Sequence, residues 1–80
     1  MKRVVYHRLA AAELIESAQF YDERRARLGD EFLRAVDAVL EVIRAQPERG
    51  RRALHGTYSF LSGHFPFRVV SEVQLDRIWI

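Results

Sequence analysis

Cysteine is absent from this sequence, which excludes disulfides and thiolate-bound metal sites. A domain of 80 residues therefore has to hold together by packing, alone or with a partner. A chain of this size buries only about 60–65% of its unfolded surface, and one core this small contributes about 3–5 kcal/mol net. Apolar runs approaching the roughly 20 residues of a membrane-spanning helix are also missing. The N-terminal MKRVVYHRLAAAELIE has two basic residues and then three apolar ones before polar side chains intervene, which is not the pattern of a signal peptide. A soluble, cytoplasmic protein without membrane association is expected.

Lysine is nearly missing too. Lys2 is one of 13 basic residues, so the other 12 are arginine, whose planar fork suits phosphate and carboxylate recognition better than an ammonium does. The net charge is only +2, so the placement of these arginines matters more than their sum. Neither a Gly-rich phosphate loop nor a nucleophile elbow occurs. His7, His55 and His64 lie far apart and lack metal-ligand spacing, so neither a metal nor a cofactor is expected. His55 and His64 stay open as acid–base candidates from where they lie in the chain.

What is present reads as one α+β domain over residues 1–80. Lys2 to Tyr6 is short, β-branched and aromatic, hence a strand. From Ala10 a run without Gly or Pro repeats Leu14, Ala18 and Tyr21 at helical spacing beside Ile15, and Leu28 extends the stripe. Gly29 then stands where a left-handed C-terminal cap belongs, with Arg24, Arg25 and Arg27 before it at the negative end of the helix dipole. Asp30 and Glu31 suit a new helix N-terminus, Phe32, Val36, Val39, Leu40 and Ile43 share its face, and Pro47 ends it. So tight a turn predicts two amphipathic helices packed as an antiparallel hairpin.

Beyond the hairpin the period changes from 3.6 to 2. Phe65, Phe67, Val69 and Val73 alternate with Arg68, Val70, Glu72 and Gln74, a half-buried strand. Tyr58 to Leu61 reads as the strand before it and Arg77 to Ile80 as the strand after it, joined by a turn near Leu75 and Asp76. Short links between successive strands predict an antiparallel three-stranded meander. The last strand, ending in Ile78, Trp79 and Ile80, is expected at a sheet edge, where an unpaired apolar edge invites association.

Charge gathers after the second helix. Arg44, Arg49, Arg51 and Arg52 face only Glu48 there, and Arg68 projects from the polar face of the central strand, a patch suited to nucleic acid or an acidic protein. Trp79 and Tyr58 could stack bases if pairing brings them near Arg68. Glu23 with Arg27, and Glu41 with Arg44, have the spacing of solvated helix pairs.

These residues resemble a known family. The run AELIESAQFYDERRARLGDEFLRAVDAVLEVIRAQPERG is similar to the N-terminal half of the RelE/ParE toxins of bacterial type II toxin–antitoxin modules: an Ala-x-x-x-Leu opening, a mid-helix Tyr, Leu-Gly, then Phe, and Pro after the second helix. Leu54-x-Gly56, Tyr58 and Phe65-Pro66-Phe67-Arg68-Val69-Val70 resemble the family's sheet. The resemblance implies a toxin neutralised by a cognate antitoxin in a hetero-oligomer, with Trp79 and Ile80 in the antitoxin surface.

RelE-like members cleave messenger RNA on the ribosome, whereas ParE-like members inhibit DNA gyrase. The segment Phe20-Tyr21-Asp22-Glu23-Arg24 with Leu28-Gly29 is closer to the ParE-like type. Arg68 matches the phosphate-contacting arginine of the nucleases and is the one catalytic candidate, with Arg49, Arg51 and Arg52 as further target-binding residues. Ser59 stands where nucleases commonly place Lys or Arg, and Ser71 where Tyr is usual. The sequence stops at Ile80, before the family's C-terminal segment. A gyrase-directed toxin is therefore the first expectation; an endoribonuclease and an inactive antitoxin-binding member are the alternatives.

Overall fold

The computed structural model describes residues 2–53, 56–63 and 65–80. In chain order these form β1 (Arg3–Val5), α1 (Arg8–Arg24), α2 (Leu28–Ala45), β2 (Arg51–Arg52), β3 (Thr57–Leu61), β4 (Arg68–Val73) and β5 (Arg77–Trp79). The protein is α+β, with both helices preceding a meander of β3, β4 and β5, as the periodicity predicts.

α1 begins where His7, in extended backbone, turns its ring back so that Nδ1 accepts the Leu9 N–H at 3.1 Å. It ends at Arg24, where Arg25 becomes extended while its N–H still reaches the Tyr21 carbonyl at 3.1 Å. The left-handed residue of the turn is Arg27 (φ 69°), not Gly29. Gly29 lies inside the first turn of α2 and is buried, so its expected role as a cap is corrected. Its need for glycine is steric: a Cβ there would stand 2.5 Å from the Ala18 carbonyl oxygen and 2.6 Å from Asp22 Oδ1. Glycine lets α2 start against the flank of α1. The displaced turn also takes Arg27 out of the helix, and the pair formed across it is Arg25 with Glu31 at 2.8 Å rather than Glu23 with Arg27. The Glu41–Arg44 pair forms at 2.9 Å.

α2 is strongly amphipathic and buries Phe32, Val36, Val39, Leu40 and Ile43. Ile43 and Ile78, both fully buried, meet in the core, and each such side chain contributes about 1.5–3 kcal/mol by leaving water. α1 departs from expectation. Leu14, Ala18 and Tyr21 pack on the core, but none of its residues is fully buried, and Leu9, Ile15 and Phe20 are exposed. α1 lies over the rim of the core while α2 covers its centre.

The five strands run in the order β1-β5-β4-β3-β2. β3 pairs antiparallel with β4 from Thr57↔Glu72 to Leu61↔Arg68, and β4 with β5 at Glu72↔Trp79 and Val73↔Ile78. β1 adds in parallel to β5, with Val4 beside Ile78. β5 is therefore interior, and the expected C-terminal edge strand is corrected: β1 and β2 hold the edges. β2 was not foreseen. It pairs Arg51↔Ser59 and Arg52↔Tyr58 with β3, its approach eased at Gly50, where a Cβ would stand 2.7 Å from the Phe60 ring.

Phe65 and Phe67 precede β4 and plug the core beside the turn end of the hairpin. Their rings sit 5.5 and 5.3 Å from that of Phe32, and Phe65 is 4.9 Å from Tyr21. Each edge-to-face pair adds about 0.5–1.5 kcal/mol beyond burial.

Candidate functional site

Directly paired residues of neighbouring strands share a face, so the register sorts the side chains. Val4, Ile78, Val69 and Phe60 face the helices and belong to the core or its margin. Arg3, Val5, Arg77, Trp79, Glu72, Val70, Arg68, Ser59, Leu61 and Arg51 fall on the other face by the same alternation, where no helix packs among the described residues. Val70 and Leu61 are accordingly exposed.

This outer face has two basic ends. At one, Arg68 donates to the Ser59 hydroxyl at 3.2 Å, and Arg51 pairs with Ser59 from the opposite side. Ser59 is thus flanked by two guanidinium side chains on one surface. At the other end Trp79 has the Arg77 guanidinium 5.9 Å from its ring centre and the His7 ring 6.4 Å away. Arg77 is gripped by Asp76 through two contacts of 3.2 and 3.0 Å. That bond holds the Asp76 carboxyl below its ordinary range and raises Arg77. Arg3 lies beside Arg77 in the parallel register, and Glu72 is paired with Trp79.

The expected arginine patch is divided. Arg51 and Arg68 come together, but Arg52 pairs with Tyr58 on the helix-facing side, Arg49 donates to Gln46 at 3.1 Å at the end of α2, and Arg44 is tied to Glu41. Tyr58 packs against the core, so it does not stack beside Arg68. Trp79 and Ile80 point to opposite faces, Ile80 against the core, and do not make one exposed edge. Ser71 is 1% exposed on the core side, and its hydroxyl has no hydrogen-bond partner. His55, His64 and Leu54 lie outside the described residues.

The sequence reading missed His7, whose ring both caps α1 and stands beside Trp79, and the Arg3–Arg77 end of the face. Alternation along β5 carried the signal for Arg77 and Trp79, but the parallel partner β1 left no local mark. Among the described residues no group of His, Asp and Glu could hold a metal ion, and no helix is long and apolar enough to cross a membrane. No protein-family model matches the chain, and no curated protein matches it. Chemically, the outer face offers charge-assisted hydrogen bonds to phosphate or carboxylate at Arg51 and Arg68, and an aromatic surface at Trp79.

Proposed function

We propose that the chain is the toxin component of a bacterial type II toxin–antitoxin module, of the ParE-like kind, acting in the cytoplasm by binding and inhibiting DNA gyrase or a related topoisomerase. A cognate antitoxin neutralises it in a hetero-oligomer. The helical hairpin carries this reading. The segment with the closer ParE-like resemblance, Phe20 to Gly29, is the one in which the Asp22 carboxylate accepts the Gly29 N–H and locks the two helices at close approach. Exposed Leu9, Ile15 and Phe20 on α1 support a protein-binding role, since they offer apolar area for a partner to cover.

A supercoiling assay with purified protein tests the target: gyrase is inhibited at micromolar protein, and unchanged activity there would reject the assignment. Induction of the chain alone should arrest growth, relieved by co-expressed antitoxin. Normal growth would instead make it an inactive antitoxin-binding member.

The pairing of Arg51 and Arg68 about Ser59 favours a second reading, a ribosome-dependent endoribonuclease of the RelE-like kind with Arg68 on the phosphate. Removing a cation positioned at transition-state charge costs about 10²–10³ in rate. Arg68→Ala should then abolish cleavage in a translation extract, and equal cleavage by variant and parent would reject it.

A further inference from the structure

α2 carries a second ordered flank besides the one it buries. Leu28, Glu31, Ala35, Ala38, Val42 and Ala45 recur at alternating steps of three and four residues, the heptad spacing with which one helix lies along another. Ala38 stands about 180° round the helix from Gly29, the point where α2 meets α1, so this flank points away from the hairpin partner. No described element covers it: Ala38, Val42 and Ala45 are exposed, Val42 at 41%. A groove of about 650 Å³ follows its first half, lined by Leu28, Ala35, Ala38 and Phe65, with Glu31 and Arg34 as its charged residues.

The alanines set the form of an occupant. With nothing beyond Cβ at 35, 38 and 45, a second helix can approach to about 8 Å, the close end of helix packing. The charges set its identity. Arg34 and Glu41 border the flank on one side, two turns apart. Arg34 makes no ion pair among the described residues, and Glu41, held only by Arg44 of its own helix, keeps a side chain 73% exposed. A parallel copy of α2 would put Arg34 level with Arg34. An antiparallel copy, related by a two-fold axis between Ala35 and Ala38, brings each Arg34 to the Glu41 of the other. The same axis sets Leu28 against Ala45, Ala35 against Ala38, and Val42 against the stem of Glu31, whose carboxylate Arg25 already holds at 2.8 Å. The flank is thus complementary to itself, as an isologous contact requires.

We propose that the flank of α2 is a homodimer interface, in which a second copy of this chain packs α2 against α2, antiparallel, about that two-fold axis. α2 has 18 residues and is about 27 Å long. One helix pair of that length lies at the small end of specific interfaces, so the dimer is reversible. It leaves the exposed Leu9, Ile15 and Phe20 of α1 and the outer face of the sheet free, and it is independent of the toxin reading.

Sedimentation equilibrium of the purified chain tests it. From micromolar to millimolar protein, the mass rises from 9.4 kDa toward twice that value. Ala38→Arg places a charged stem beside the axis at an exposed position; it keeps the chain monomeric while the far-ultraviolet circular dichroism stays that of the parent. Arg34→Glu and Glu41→Arg each bring like charges together at both ends of the contact and weaken the dimer about tenfold. An equimolar mixture of these two variants regains the parent's affinity, because every contact of 34 with 41 between unlike chains is again of opposite sign. A mass of 9.4 kDa throughout overturns the proposal. So does a dimer that persists in Ala38→Arg, or a mixture no tighter than its two components, since the chain then associates through another face.

Discussion

The backbone N–H of Gly29, in the first turn of α2, donates to the carboxylate of Asp22, seven residues earlier on α1, at 2.7 Å. One bond satisfies an orphan donor at a helix N-terminus, places a negative charge at the positive end of the helix dipole and joins the two helices of the hairpin.

Both partners should therefore be sensitive to substitution. Gly29→Ala gains helix propensity of about 1 kcal/mol, but its Cβ meets the Ala18 backbone, which cannot swing aside, and overpacking costs about 1–3 kcal/mol. The net effect is a loss of stability. Asp22→Ala should cost about 1–2 kcal/mol through the lost cap. Urea midpoints at constant slope measure both.

Ser71 points the other way. Its buried, unpartnered hydroxyl carries a desolvation cost of about 1–3 kcal/mol. Ser71→Ala should leave stability unchanged or raise it by about 1 kcal/mol, read as a higher thermal midpoint. A drop of that size would show that the hydroxyl is bonded.

The aromatic plug makes the opposite case. Phe32 is 5% exposed and meets the rings of Tyr21, Phe65 and Phe67. Phe32→Ala should cost about 3–5 kcal/mol, comparable to the whole stability of so small a domain. Circular dichroism at 25 °C should find it largely unfolded. Phe20→Ala, on the exposed side of α1 with the Arg24 guanidinium 4.2 Å over its ring and the Tyr21 ring 5.5 Å away edge-on, should cost about 1 kcal/mol.

Tyr6 gives the protein an alkaline limit. Burial, reinforced by the Asp37 carboxylate and opposed by Arg44, raises its phenol above the ordinary value of 10.0. The raised native pKa means that the unfolded chain loses this proton first. The contribution is therefore complete below about pH 10 and is lost as pH rises through the folded value. Tyr6→Phe should flatten the fall in stability above pH 10. An alkaline limb identical in variant and parent would assign it to other groups.

Residue spacing alone determined the element types: the 3.6-residue repeat of Phe32, Val36, Val39 and Ile43 and the alternation from Phe67 to Val73 each admit one way of burying apolar area. Local order also placed the hairpin turn within a few residues. The tertiary structure decided what local order cannot encode. Whether a glycine between two helices caps the first or admits the second depends on how near the helices come, and here Ala18 and Asp22 leave no room for a Cβ. The position of Trp79 depends on β1, the element most distant from it in sequence, which joins in parallel and turns a terminal strand into an interior one. The arginines followed the same rule. Sequence proximity put Arg51 and Arg52 together, while strand pairing separated them to opposite faces and brought Arg51 to Arg68 across Ser59.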